Sequence, residues 1–214
     1  MIRWEWVPEN IGQLVDALVD HVVLTGIAVG VGFALSLALA LVIYRRRRLF
    51  GPITGAAGIL YTIPSLALFA FLVPFTGLSL LTAEIGLVSY TLLILIRNIM
   101  AGLDSVAPDI REAAEGMGYT TFERLLRVEL PLATPLIVAG LRIATVTTIG
   151  LVMVTALIGQ GGLGQVMLRG FNFRNYAAVY AGATITVWLA IVVDLALVGL
   201  GRLVTPWSRA RGGR

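Results

Sequence analysis

Five stretches of about twenty apolar residues dominate this sequence, at roughly 21–44, 55–75, 78–100, 134–158 and 178–200. A bilayer core takes about 20 such residues per helix. Inside lipid every backbone polar group must find its partner within the segment, which leaves only the helix for runs of this length. The expectation is an all-α integral membrane protein of about five transmembrane helices. Composition agrees, since 13% of the residues are charged and the mean hydropathy is +0.92, against about 25% charged in soluble domains. The first stretch is too long for a secretory leader, and its arginines follow it instead of preceding it, so it is expected to be a retained span.

Every basic residue is an arginine, and their placement sets the expected topology. Arg45 to Arg48 close the first span, and clusters of this kind stay on the cytoplasmic side. Alternation then places Arg111, Arg124, Arg127, Arg202, Arg209, Arg211 and Arg214 on that side and leaves Arg3, Arg169 and Arg174 outside. The chain should run N-out, C-in. Residues 1–20 are expected to form an external segment, 21–201 the transmembrane domain with an external loop at 159–177, and 202–214 a cytoplasmic basic tail. The arginines flank apolar segments instead of interleaving with aromatics in a stripe, which excludes nucleic-acid binding. With no cysteine and one histidine, His21, thiolate and His-cluster metal sites are excluded too. His21 falls at a span boundary with no evident role.

Gly26 and Gly30, continued by Ala34, Ser36 and Ala38, offer small residues for close helix packing. Pro64 and Pro74 are expected to kink the second span.

One segment, 101–133, breaks the apolar pattern. Pro108 and Asp109 suit a helix start, because proline lacks the N–H that would be orphaned there and Asp favours the first turn. Ile110, Ala113, Ala114 and Met117 recur at helical spacing, with Glu112 and Glu115 on another face. Gly118 follows, where a left-handed residue would end the helix. Thr120 with Glu123 is a capping box for a second helix. In that helix Phe122, Leu125, Leu126 and Glu129 share a side, and Glu123 and Arg127 are spaced for an ion pair. Leu130-Pro131 should stop it before the fourth span. Acids dominate the first helix, and an anionic membrane surface would repel them. A docking protein fits better than lipid.

Glu112-Ala113-Ala114, then Gly118, Val128 and Leu130-Pro131, carry the spacing of the EAA signature, and the chain resembles the permeases of ATP-binding-cassette importers. Val128 stands where isoleucine is commoner. Tyr61 to Leu68, the Arg97-Asn98 pair and the Gly161 to Gly164 run resemble the branch that carries glycine betaine, carnitine or choline. The resemblance implies that Arg111, Glu112, Ala113, Ala114, Gly118, Val128, Leu130 and Pro131 couple the chain to a cytoplasmic ATPase subunit. It also implies an external substrate-binding protein, a second permease subunit and a bacterial inner membrane. No cofactor is expected on this chain, ATP and magnesium belonging to the ATPase.

The run Gly159 to Gly164 satisfies GxGxxG, but no strand precedes it and no acidic residue follows at the right distance for a dinucleotide. A turn that meets the external binding protein is expected instead. With no lysine there is no phosphate-binding Gly-Lys-Ser/Thr loop, so ATP hydrolysis belongs to another subunit. Ionisable residues inside spans are candidates for function. These are Glu84, Arg97, Arg142 and Asp194, with Arg97 and Arg142 expected near the cytoplasmic ends. Candidate translocation-path residues are Tyr61, Pro64, Ser65, Tyr90 and Asp194, the tyrosines because ring faces attract quaternary ammonium groups. The alternatives are an importer of the same class for methionine, other amino acids or an oxyanion, and a gradient-driven transporter using Glu84 and Asp194. No nucleophile–base pair supports an enzyme.

Overall fold

The computed structural model describes residues 2–207. A short helix α1 (Trp6–Glu9) leads into α2 (Ile11–Arg45). The latter begins well before residue 21, so most of the expected N-terminal segment is helical. At about 1.5 Å per residue α2 is about 52 Å long, well beyond a core of about 30 Å. A bent pair follows, α3 (Phe50–Thr62) and α4 (Ser65–Thr76), and then α5 (Leu80–Asp104). The polar segment holds α6 (Pro108–Gly116) and α7 (Thr121–Arg124). The fourth span is α8 (Leu130–Val152), and α9 (Leu163–Asn172) and α10 (Tyr176–Val204) complete the chain. Among the described residues four helices are long and apolar enough to cross a membrane alone, and counting the bent pair as one span makes five.

The centre of the bundle is α5, which packs along α2 on one side and α8 on the other. Small residues make these approaches close. Gly102 of α5 lies where an added Cβ would stand 2.9 Å from the Ala133 carbonyl oxygen of α8. Gly140 of α8 seats the Asn98 side chain of α5. The helix α10 packs on α8 and α9, while α3 and α4 pack on α5.

Two prolines act differently from expectation. Pro64 does not kink a continuous span; it separates α3 from α4, whose axes differ by 96°. The proline ring disfavours the helical conformation for the residue before it. Ile63 accordingly turns extended, with ψ at 128°, and α3 ends. Pro131, conversely, does not stop the second polar-segment helix. The chain passes from α7 through a π-turn at Leu125–Glu129 straight into α8. An interior proline ring presses on the carbonyl four residues back, and the wider π-turn supplies the room.

The expected loop 159–177 is also ordered, with α9 inside it. Within its glycine run Gly161, Gly162 and Gly164 are buried, while Gly159 is exposed. Gly162 (φ +46°) lies against α2, where a Cβ would be 2.6 Å from the His21 amide nitrogen and closer still to the Ala17 carbonyl oxygen. His21 itself is fully buried, its Nε2 3.0 Å from the Ile149 carbonyl oxygen of α8. It is a tie between helices. The tail arginines Arg209, Arg211 and Arg214 lie outside the described residues.

Candidate coupling site

The polar segment folds as its capping chemistry directs. Pro108 occupies the first turn of α6, with Asp109 beside it. Gly118 adopts φ +85°. Its N–H donates to the Glu115 carbonyl and that of Tyr119 to the Ala114 carbonyl, so the last carbonyls of α6 are satisfied by a left-handed cap. The capping box of α7 is complete: Thr120 Oγ1 accepts from the Glu123 N–H, and the Glu123 carboxylate accepts from the Thr120 N–H. That carboxylate also takes the Thr120 hydroxyl, and the expected partner Arg127 acts on it through its charge without a close ion pair.

The two faces of this hairpin differ. Ala114 is fully buried against the body of the chain. Glu112, Ala113, Gly116 and Gly118 are exposed, together with Met117 at 70% and Phe122 at 55%. The tip is therefore a small-residue surface with an acid and two large apolar side chains. Val128, Leu130 and Pro131 do not belong to it. They are half-buried in the π-turn and the first turn of α8, on the path from the tip to the span.

Beneath the tip lies a charge network centred on Glu129, which is fully buried. Its Oε1 accepts from the Tyr44 hydroxyl at 2.6 Å and from Arg124 Nε at 2.8 Å. Arg124 also donates to the Tyr44 hydroxyl at 3.0 Å and pairs with Glu115 of α6. Arg111 of α6 stands 3.4 Å from Glu129 Oε2 and donates to the Leu103 carbonyl at the end of α5 at 2.6 Å. One buried carboxylate thus fastens α6, α7 and the foot of α8 to the ends of α2 and α5. Charge-assisted hydrogen bonds, the strong class, run from Glu115 of α6 through Arg124 to Glu129, whereas Arg111 meets Glu129 as an ion pair without a hydrogen bond.

The path candidates separate into two places. Tyr61, Pro64, Ser65 and Tyr90 meet at the α3–α4 break. The Tyr90 hydroxyl donates to the Ile63 carbonyl that the break leaves free, and the Tyr61 ring meets that of Tyr90 edge-on with centroids 5.9 Å apart. Asp194 lies on another seam, where both its oxygens accept from Arg142 at 2.8 Å. Arg142 is in the middle of α8, not at a cytoplasmic end, because the helix extends from Leu130. Glu84, near the start of α5, has both carboxylate oxygens buried without a hydrogen-bond partner, and Arg97 is exposed.

The comparisons with known proteins fit this arrangement. Residues 28–209 match the model of a family described as binding-protein-dependent transport system inner membrane component. The chain belongs to that family. The permease is 38% identical to the osmoprotectant import permease protein OsmW of Salmonella typhimurium, over 92% of this chain and 94% of that one. It is 35% identical to the choline transport system permease protein OpuBB of Bacillus subtilis, over 97% and 95% of the two chains. Among solved structures, a chain of the MetNI methionine ABC transporter in an inward-facing conformation superposes with a TM-score of 0.82 at 22% identity, covering 92% of this chain and 98% of that one. An amino acid ABC transporter with histidines gives 0.71 at 19%, over 96% and 99%. These last two speak to the fold. The chain is a permease subunit of an ABC importer, a multi-pass membrane protein and not an enzyme, and its family works with separate ATPase and substrate-binding partners.

Four members of the network are not among the coupling residues read from the sequence: Tyr44, Glu115, Arg124 and Glu129. Glu129 left a signal, since it shares a helical side with Phe122, Leu125 and Leu126, and an acid on an apolar side calls for a buried partner. Tyr44 left none, being 85 residues away from the carboxylate it binds.

Proposed function

We propose that this permease imports quaternary ammonium osmoprotectants such as glycine betaine, carnitine or choline across a bacterial inner membrane. The substrate class is supported by the relatives at 38% and 35% identity, which cover nearly the whole chain. Their agreement along the chain outweighs the methionine alternative, which rests on likeness of fold alone. In this reading the arginine-rich end faces the cytoplasm, giving N-out and C-in. An ATPase subunit carrying ATP and magnesium docks on the tip formed by Glu112, Ala113, Met117, Gly118 and Phe122. A substrate-binding protein meets the opposite end, and a second permease subunit completes the path.

The single observation that carries the mechanism is the Glu129 network. Glu112 and Ala113 present the docking surface, Gly118 allows the turn, and Arg111 and Arg124 carry the movement of α6 to Glu129 and so to α2, α5 and α8. Val128, Leu130 and Pro131 form the stem that hands this movement to α8. The spans then alternate between inward and outward openings.

The test is uptake of labelled glycine betaine into proteoliposomes holding this chain, its ATPase and its binding protein. Uptake that needs ATP and both partners is expected, and Gly118→Pro or Glu112→Arg should abolish it while the chain still inserts. Transport of a different solute under the same dependence would overturn the substrate class alone. Uptake driven by an ion gradient without ATP would overturn the coupling role.

A further inference from the structure

Arg142 and Asp194 place full charges far from the ends of α8 and α10. At about 1.5 Å per residue, Arg142 stands about 18 Å along α8 from Leu130 and Asp194 about 15 Å along α10 from Val204. A hydrocarbon core is about 30 Å thick, so the pair lies near its middle. The pairing is bidentate. Even so, 37% of the Arg142 side chain and 32% of that of Asp194 are exposed. Both open into a cavity of about 440 Å³ shared with Ala139, Ile143, Val146 and Thr147.

This cavity lies on a face of α8 that its neighbours leave uncovered. Ala133 and Gly140 face α5, and Ile149 faces α2. At 3.6 residues per turn, Ala139, Ile143 and Val146 point away from both. On α10 the outward side is of another kind, with Trp188, Val192 and Leu195 exposed and apolar. Such a side suits contact with lipid. A charge turned to lipid at this depth is costly, and ionisable residues inside spans face protein or water instead.

We infer that the α8 face bearing Arg142, Ile143, Val146 and Thr147 is a wall of the aqueous translocation path, with the Arg142–Asp194 pair as its polar element. The inference rests on the importer reading above and names the surface along which the solute moves. A closed ion pair wets the wall without offering a net charge. Conduction needs binding weak enough to release, and a lone Asp or Arg here would hold a cation or a zwitterion.

The chain has no cysteine, so a single introduced thiol reports on its own surroundings. Ile143→Cys, Thr147→Cys and Leu195→Cys are each assembled with the ATPase and binding protein in proteoliposomes. A membrane-impermeant thiosulfonate carrying a quaternary ammonium is applied with and without ATP, and modification of this chain is read by mass. A denatured sample of each variant, labelled in parallel, confirms that each thiol is present and reactive. Because the thiolate forms only in water, positions 143 and 147 should react at least about tenfold faster with the charged reagent than position 195 in at least one of the two states. If both react as slowly as 195 in both states, the face is turned to lipid or buried in protein and the inference falls. The readout does not depend on the cargo. Fast labelling at 143 and 147 in a transporter that ignores glycine betaine would overturn the substrate class and leave the path in place.

Discussion

The two ends of the bundle are fastened by opposite means. At the coupling end, Tyr44, Arg111, Glu115, Arg124 and Glu129 join four helices through charged groups. At the other end the turn before α9 is pressed onto α2 at Gly162, and the His21 ring lies against the Ile149 carbonyl. A charge network tolerates small shifts, since a carboxylate offers several acceptor sites to an arginine fork. A backbone contact without room for a methyl group has one geometry, and packed interiors yield little. One end is built as a joint and the other as a clasp. The proposed docking tip sits on the joint.

Substitutions can separate these two roles through two readouts, thermal stability in detergent and solute carried per ATP hydrolysed. Glu129→Ala should act most strongly, because it opens a cavity and removes the buried carboxylate that Tyr44, Arg111 and Arg124 all meet. Removing one partner of a buried pair costs about 3–5 kcal/mol. Both readouts should fall, and Glu129→Gln, which keeps the shape, should recover stability more than transport. Gly162→Ala comes next, at about 2–3 kcal/mol, from overpacking against α2 and a left-handed backbone. It should lower the melting temperature and leave the solute-to-ATP ratio of the surviving transporter unchanged. A fall in that ratio equal to that of Glu129→Gln would erase the distinction between joint and clasp.

The elements were largely legible because the signals are local. Apolar length announced the spans, and Pro108, Gly118, Thr120 and Glu123 announced the hairpin at the residues where the structure has it. What escaped depended on neighbours far along the chain. Proline was read by its average effect, whereas Pro64 breaks a span outright and Pro131 is absorbed by a π-turn that no residue pattern marks. Ala114 and Ala113 look alike in sequence, yet one is buried and the other exposed. The depth of Arg142 followed from where α8 begins, and that follows from the same π-turn. Asp194 is legible as an ionisable residue inside a span, but only the packing of α10 on α8 names its partner.

Smaller effects bound the joint. Tyr44→Phe removes one donor to Glu129 while Arg124 still donates, so about 1 kcal/mol is expected, seen as a modest drop in melting temperature. The weakest effect should come from Asp104→Asn. Asp104, at the end of α5, pairs with Arg47 at 2.6 Å, a shorter separation than the 3.4 Å between Arg111 and Glu129. Distance alone would rank it high. Its side chain is 52% exposed and that of Arg47 46%, however, so water screens the pair and competes for both groups. Exposed pairs of this kind contribute about 0.5 kcal/mol or less. Stability and the solute-to-ATP ratio should both stay within error of the parent, at low salt as at high. A loss in the ratio comparable to that of Tyr44→Phe would mean that the joint extends beyond the buried carboxylate to the outer end of α5, and that burial is the wrong guide to which charges transmit the stroke.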